Sequence, residues 1–282
     1  MSQNYLSIYA KSFNWAGFFL PRVKYSNCSA LYDFCRTVDN IADDNNNLDI
    51  KRKNLLEFKK RFFEKDFNSS KIKKMWRIID EFSISTKIID DLFDGVESDL
   101  KDKVQLNSRK DLLIYSYRVA GTVGLMMAKI LRVKSEEALK AAIDLGIAMQ
   151  LTNIARDVIE DEKLNRKYID CDFEKIKDTL KLADLFYNSC FKSIREIPIS
   201  SRFAILVARR VYRQIGNEIK KKRDLDEYKN SGKIFVTNFG KVKQTLLSVY
   251  DLILLFFLKS DDYKINLSHD EIKKEIKLNE RF

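Results

Sequence analysis

The chain of 282 residues can form one large domain or two small ones, and its 45% hydrophobic content excludes wholesale disorder. It has only 2 prolines and 8 glycines, which argues against sandwiches and barrels, because those folds need many turns. The single histidine, His269, argues against a serine–histidine–aspartate triad and against a histidine-rich zinc site.

The formal net charge of +11 is compatible with nucleic acid, an anionic membrane face or an anionic substrate as a partner. The richness in Lys, Asn and Ile is what AT-biased coding produces, so much of this charge is expected on a solvated face. No helix-turn-helix, zinc-finger or RNA-recognition motif is visible, and nucleic-acid binding is not expected.

The glycines form neither a dinucleotide-binding fingerprint nor a P-loop. The 4 cysteines contain no CxxC pair and are interpreted as reduced structural thiols. The first residues show no charged segment followed by a long apolar run, so no signal peptide is expected. These features predict a cytoplasmic protein, with peripheral contact to the inner membrane face left open.

Helical periodicity runs along almost the whole chain, and no series of alternating strands competes with it. Ser108 with Asp111 predicts a capping box, and Ser135 before two glutamates predicts a second helix start. Without a linker rich in Pro, Gly or Ser, residues 1–282 are predicted to form one all-α domain. The predicted helices are 12–19, 23–43, 49–66, 71–83, 86–100, one from 109, one from Ser135 to about 164, 173–193, 200–223, 240–258 and a last polar one after Ser268.

Residues 246–258, LLSVYDLILLFFL, form the most hydrophobic stretch of the chain. As a helix they span about 20 Å, which is shorter than a bilayer core of about 30 Å. Asp251 also lies inside the stretch, so a transmembrane helix is not expected. A buried core helix is the preferred interpretation, and a membrane-surface patch is the alternative.

Two segments, 32–43 and 150–161, each contain a DxxxD pattern. Residues four apart on a helix project from one face, so each pattern places two carboxylates side by side. Taken alone, such a pair is usually a chance spacing on a wet surface. Here each pair belongs to a longer polar stripe at helical spacing, made of Tyr32, Arg36, Asp39 and Asp43 in the first segment and Gln150, Asn153, Asp157 and Asp161 in the second.

The second segment is otherwise apolar, which is typical of a buried helix. Two carboxylates about 6 Å apart repel each other by roughly 3 kcal/mol at an effective dielectric near 20. Burying them without cations would cost much more, so the stripe is expected to face a water-filled cavity. An oxygen-only ligand set without histidine or thiolate suits Mg²⁺, with Mn²⁺ as an alternative.

Arg36 and Arg156 lie beside these carboxylates and carry donors suited to phosphate oxygens. Two facing acidic stripes, two arginines and apolar walls together predict a prenyl diphosphate as the ligand. The alternative is a structural network of buried Arg–Asp pairs.

Over residues 10–245 the sequence resembles the squalene/phytoene synthase family, and most closely its bacterial phytoene synthases. The resemblance rests on Lys11-Ser12-Phe13, Leu20-Pro21, the segment 32–43, the runs YSYRVAGTVG at 115–124 and LGIAMQLTNIARDV at 145–158, and ARRVYRQIG at 208–216.

This resemblance implies an isoprenoid synthase fold, a single helical bundle around a central cavity. It implies Mg²⁺-dependent condensation of two geranylgeranyl diphosphates to phytoene through prephytoene diphosphate, without NADPH. The metal would be held by Asp39, Asp43, Asn153, Asp157 and Asp161. Tyr117 would lie near the reacting carbons. The implied substrate contacts are Ser12, Tyr32, Arg36, Gln150, Asn153, Arg156, Tyr212 and Lys233.

The sequence departs from the family pattern at three positions: Asn40 replaces an acidic residue, Asn165 a glycine and Asp170 a proline. The last two concern a loop that would cap the site. Two alternatives to phytoene synthesis remain, namely a dehydrosqualene or squalene synthase acting on farnesyl diphosphate, and a non-catalytic scaffold relative. The sequence leaves the oligomeric state undetermined.

Overall fold

The computed structural model describes residues 11–258 and 267–282, apart from the side chains of residues 11–13, 267 and 268. Within these ranges helices dominate, and the only strands are two residues long each. The predicted all-α fold class is therefore confirmed.

The first half of the described chain is a series of seven helices. A π-helical turn, Tyr117–Gly121, joins the last two of them without a break. The helices are α1 (Lys11–Gly17), α2 (Arg22–Asp43), α3 (Leu48–Phe63), α4 (Ser70–Phe82), α5 (Thr86–Glu97), α6 (Arg109–Ser116) and α7 (Thr122–Ile130).

In the second half, one 28-residue helix is followed by shorter ones. The helices are α8 (Glu136–Lys163), α9 (Phe173–Ser189), α10 (Ile199–Lys220), α11 (Leu225–Asn230), α12 (Asn238–Phe257) and α13 (Leu267–Lys273). Two 3₁₀ turns, Lys192–Glu196 and Leu278–Glu280, complete this half.

Two-residue strands, β1 (Val104–Gln105) and β2 (Arg166–Lys167), pair in parallel with Val104 opposite Arg166. This pairing joins the segment that follows α5 to the segment that follows α8. Strands this short leave no periodic pattern in the sequence, and they were not predicted.

Side-chain caps begin several helices where the sequence predicts them. The Ser108 hydroxyl accepts from the Asp111 amide at 3.1 Å, and the Ser135 hydroxyl accepts from the Ala138 amide at 3.3 Å. Both predicted helix starts are confirmed. The predicted helices 86–100 and 173–193 end earlier, at Glu97 and Ser189, and the short helix α11 was not predicted.

The central element is α8, which packs against α6, the π-helical turn, α7, α9 and α10. Helix α2 packs instead on α3, α4, α5 and α7. Since α7 contacts both α2 and α8, it holds the two stripe-bearing helices in one half of the bundle.

Glycines allow α8 to approach the preceding helix closely. A Cβ on Gly146 would lie 2.3 Å from the carbonyl oxygen of Ala120, and a Cβ on Gly124 would lie 2.3 Å from that of Ala142. These contacts assign both glycines to tight helix packing.

The segment 246–258 is not a buried core helix, so that prediction is wrong. Leu246, Tyr250, Ile253 and Phe257 of α12 are exposed. Only three of its residues, Ser248, Asp251 and Leu255, are buried. Within residues 11–258 and 267–282, no helix combines the length and the apolar character that crossing a bilayer requires.

All four cysteines are free thiols in the structure, and Cys28, Cys35 and Cys190 are buried.

We predict that Gly146→Ala lowers the free energy of unfolding by about 1–3 kcal/mol, because the new methyl group meets a backbone carbonyl that cannot rotate away. The measurement is urea denaturation followed by circular dichroism. Gly216→Ala is the matched control, since its added Cβ meets the flexible end of Leu180 at 3.0 Å. Equal stabilities of the two variants would contradict the packing role.

Candidate functional site

A cavity of about 1180 Å³, here called the main cavity, lies between α2, α7, α8 and α10. Apolar side chains form most of its wall. They come from α7 and the residues after it (Val123, Met127, Leu131, Val133), from α8 (Leu145, Met149) and from α10 (Ile205, Ala208, Ile215).

A second cavity of about 270 Å³, here called the polar chamber, shares part of this wall. Eight residues line both cavities: Arg36, Asp39, Asp43, Val119, Gln150, Asn153, Arg156 and Asp157. The ligand space therefore has a large apolar part and a small charged part.

The two predicted stripes meet at the polar chamber. Asp39 and Asp43 border it from α2, and Asp157 and Asp161 border it from α8. The helical spacing of each pair puts both of its carboxylates on the chamber side, and the packing of α2 and α8 around α7 makes the pairs face each other. All four carboxylates therefore border one space.

Basic side chains hold two of these four carboxylates. Arg156 makes two hydrogen bonds to Asp157, at 2.8 and 2.5 Å, and Lys233 Nζ lies 3.1 Å from the same carboxylate. On the other side, Arg166 lies 3.0 Å from Asp43 and Arg36 lies 3.6 Å from it. The predicted arginines therefore lie where they contact the stripe carboxylates.

The negative charges of the other two carboxylates, Asp39 and Asp161, are less well neutralised by nearby basic side chains. Burial, together with the negative charges of Asp43 and Asp99, raises the pKa of Asp39 to about 7, and Arg36 only partly opposes this. Burial and the charge of Asp157 raise the pKa of Asp161 to about 7. For Asp157 itself, burial is outweighed by Arg156 and Lys233, so its pKa is lowered. The chamber therefore concentrates more negative charge than its side chains neutralise.

Asn153 lies one helical turn before Asp157, and its Oδ1 is buried without a hydrogen-bond partner. An orphaned acceptor costs free energy unless something binds it. Gln150 lies one turn further back and lines both cavities. The α8 stripe thus continues its oxygen-rich character from the chamber into the main cavity.

A hydrogen-bonded group that the sequence did not indicate closes the chamber. Tyr115 and Tyr168 donate to the two oxygens of Asp99 at 2.8 and 2.7 Å, and Asp99 lines the chamber beside Arg166. The β1–β2 pairing carries Arg166 and Tyr168 to this place. The pairing was not predicted, and the sequence indicated only that the loop from Asn165 to Asp170, which contains Arg166 and Tyr168, would cap the site.

The predicted substrate contacts Tyr32 and Tyr212 both line the main cavity. Lys233 also lines it, and α11 explains how it reaches α8. Tyr228 of α11 donates to the carbonyl oxygens of Ala155 and Arg156 at 3.1 and 2.8 Å, which anchors α11 on α8 just before Lys233.

Two predicted site residues are not found with the others. Tyr117 is fully buried and donates to Asp91 at 2.8 Å, and it lines neither cavity, so the structure does not place it beside a ligand. The tyrosine of the same motif that borders the chamber is Tyr115. The side chain of Ser12 lies outside the described residues.

The three departures from the family pattern have modest structural effects. Asn165 adopts a φ of +56°, a left-handed conformation that glycine and asparagine accept more readily than other residues. Asp170 is exposed and pairs with Lys167 at 2.7 Å. The side chain of Asn40 lies on α2 and lines neither cavity.

In the part of the chain that is described, no three Asp, Glu, His or Cys side chains form a ready-made metal cage. A cation in the chamber would need further oxygen atoms to coordinate it, for instance from a bound small molecule.

Comparison with known proteins agrees with this geometry. The family model described as squalene/phytoene synthase matches residues 7–171. The chain is 36% identical over 149 residues to the 15-cis-phytoene synthase of Paracoccus sp., a match that spans 46% of this chain and 49% of that protein. It is 30% identical over 241 residues to the phytoene synthase of Cereibacter sphaeroides, spanning 74% and 68% of the two chains.

Solved structures show the same fold. A dehydrosqualene synthase crystallised with a ligand superposes with a TM-score of 0.72 at 28% identity, covering 88% of this chain and 94% of that one. YisP from Bacillus subtilis has the same fold, with a TM-score of 0.63 at 18% identity over 86% and 92% of the chains. From the family match and the shared isoprenoid synthase fold, we conclude that this chain belongs to the squalene/phytoene synthase family, a family of prenyltransferases.

Proposed function

We propose that this chain joins two molecules of geranylgeranyl diphosphate head to head to form phytoene, by way of prephytoene diphosphate and with release of diphosphate. The observation that carries the proposal is the position of four facing carboxylates at one side of a large apolar cavity. The matched proteins named phytoene synthase support the choice of product.

The size of the main cavity is compatible with this ligand. An apolar cavity of about 150 Å³ holds one benzene, or about 25 Å³ per carbon, so forty carbons need about 1000 Å³. The main cavity offers about 1180 Å³. Thirty carbons would need about 750 Å³ on the same basis. The volume therefore admits two C20 chains and does not exclude two C15 chains.

The residues of the polar chamber fit Mg²⁺. Asp39, Asp43, Asp157, Asp161 and the orphaned Oδ1 of Asn153 offer oxygen ligands only. Mg²⁺ is typically bound by one or two carboxylates together with water and substrate phosphates, so a preformed cage is not required. When bound, the ion would supply positive charge that stabilises a departing diphosphate.

The basic residues would contribute to the same step. Arg36, Arg156 and Lys233 line the main cavity and contact the stripe carboxylates, so they lie within reach of a diphosphate placed between the stripes. Their fixed positive charges would stabilise the negative charge that develops on the leaving oxygen. Tyr115, Tyr168 and Asp99 would act by positioning Arg166 and closing the chamber.

The apolar wall would keep water from an allylic carbocation, which water would otherwise trap. The only histidine cannot take up the proton that is lost, because His269 is fully buried against Asp144 and lines neither cavity. Released diphosphate is therefore the proposed proton acceptor.

A second candidate substrate is farnesyl diphosphate, and the likeness to a dehydrosqualene synthase favours it. Dehydrosqualene formation needs no NADPH, whereas squalene formation does. A scaffold without activity is disfavoured, because all four stripe carboxylates are present and border one chamber.

We expect the purified chain with Mg²⁺ to convert geranylgeranyl diphosphate to phytoene without NADPH, at a higher kcat/KM than it uses farnesyl diphosphate. Products are identified by chromatography and mass spectrometry. Chelation with EDTA should abolish turnover. Dehydrosqualene as the main product would identify the C15 enzyme, and turnover of neither substrate would support the scaffold.

Asp157→Ala should reduce kcat at least 100-fold, because it removes a carboxylate of the chamber and frees Arg156 and Lys233 from their partner. Asp178→Ala is the control, since this exposed aspartate pairs with Lys181 on α9 and lines neither cavity. Circular dichroism shows whether both variants are folded. Full activity of folded Asp157→Ala would contradict the proposed site.

The raised pKa of Asp161 predicts a pH-dependent cost to stability when divalent cations are absent. The unfolded pKa is 3.8 and the folded pKa is about 7, so the charged form is disfavoured by folding. The cost is small below pH 4, grows between pH 4 and pH 7, and is constant above. Asp161→Asn should therefore gain stability over the wild type across this range, as measured by urea denaturation in EDTA. A stability difference between the two proteins that does not change with pH would contradict the raised pKa of Asp161.

A further inference from the structure

Helix α12 packs on the protein through a polar face. Gln244, Ser248 and Asp251 are buried, and they recur at helical spacing. Gln244 donates to Gln214 at 2.9 Å, and Arg210 makes two hydrogen bonds to Asp251, at 2.5 and 2.6 Å. Polar contacts with α10 thus hold a helix that a soluble protein would normally hold by apolar contacts.

The opposite face of α12 is apolar and exposed. Phe239, Leu246 and Phe257 are 81%, 67% and 80% exposed. The exposed apolar residues recur every three or four positions along a helix about 30 Å long. They are Phe239, Val242, Leu246, Leu247, Val249, Tyr250, Ile253, Phe256 and Phe257, here called the outer face of α12.

This arrangement reverses the usual polarity of a surface helix, whose apolar stripe faces the core. A contiguous exposed patch of this kind marks an interaction site rather than ordinary surface. The hydrophobicity of residues 246–258 suggested a core helix because apolar residues usually face the core, whereas here they face outward.

Three basic residues border the outer face, and one acidic residue, Glu196, lies near Arg202. The only acidic residue of α12 is Asp251, which is buried and paired with Arg210. Exposed Lys243 belongs to the helix, the guanidinium of Arg202 lies 5.8 Å from the ring centre of Phe256, and Arg195 donates to the carbonyl of Leu258. An apolar face with a basic rim complements a partner that has an apolar interior beneath a negatively charged surface.

The main cavity reaches the same side of the molecule. Its wall includes Gly17 and Leu20 next to exposed Phe18, and Phe235, Asn238 and Lys241 at the beginning of α12. Trp15 of α1 donates to Thr245 of α12 at 2.9 Å, so the two elements that border this end of the cavity touch each other.

We propose that the outer face of α12 docks the protein onto the surface of a bilayer that contains anionic lipids. The helix lies in the interface without crossing it, with its aromatic and aliphatic side chains among the acyl chains and the basic rim at the headgroups. A second copy of the chain is a poorer occupant, because a two-fold contact would bring each basic rim against itself.

Docking of this kind places one end of the main cavity at the bilayer. The docking proposal does not depend on the proposed reaction. If that reaction is correct, the apolar chains of its substrate and product can enter and leave the main cavity without passing through water.

The test is flotation of the full chain with vesicles of phosphatidylcholine and phosphatidylglycerol in equal parts. The wild type should float with the vesicles, and Leu246→Glu/Ile253→Glu should lose vesicle partitioning at least tenfold. The matched control is Leu56→Glu/Leu185→Glu, which changes two exposed leucines on α3 and α9 and should bind like the wild type. Circular dichroism checks folding, and Tyr250→Glu replaces the double variant if that is unfolded.

Three results would overturn the docking proposal: no flotation of the wild type, equal loss in the two double variants, or a dimer that the α12 variant breaks while vesicles bind neither protein. Turnover of detergent-dispersed substrate separates this proposal from the proposed function, since none of the substituted residues lines either cavity. Vesicle binding without turnover would leave docking supported and the proposed reaction rejected.

Discussion

The mutual repulsion of carboxylates across a half-buried gap is the constraint on which the site depends. Asp39 and Asp43 on one helix face Asp157 and Asp161 on another, and side chains compensate only part of this charge. Such an arrangement is costly for an empty protein, and it would become favourable with the proposed cations and diphosphate in the gap. The surrounding bundle, with its close crossing at Gly124 and Gly146, supplies the rigidity that keeps the two helices in place.

The ligand space joins two different environments. At one end, the polar chamber offers oxygen ligands and guanidinium groups suited to a charged head. Through the rest of the main cavity the wall is apolar, and it reaches the elements that carry the outer face of α12. A molecule with a diphosphate head and a long hydrocarbon tail matches both environments, and the proposed bilayer contact would serve the tail.

Much of the site could be predicted from the sequence because its residues lie on long helices. Once 32–43 and 150–161 are helical, spacing alone places Tyr32, Arg36, Asp39 and Asp43 on one face, and Gln150, Asn153, Asp157 and Asp161 on another. The residues that close the chamber, Asp99, Tyr115, Arg166 and Tyr168, could not be found this way. They come from three separate segments, and a strand pair of two residues on each side brings them together.

Helix α12 shows a second property that the sequence could not predict, namely which side of a hydrophobic helix is buried. Its hydrophobicity was plain in the sequence, but hydrophobicity does not say which side of a helix meets the protein. That was decided by Gln214 and Arg210 on α10, which bind Gln244 and Asp251 and turn the apolar side outward. Likewise, the motif around Tyr117 contained two tyrosines, and only packing decided that Tyr115 borders the chamber while Tyr117 binds Asp91. The sequence by itself determined the helices, the two acidic stripes and the kind of ligand they suit, because these follow from local periodicity and side-chain chemistry. Only the tertiary structure decided which stripes meet, what closes the space between them and which faces remain exposed, because these depend on contacts between residues far apart in the chain.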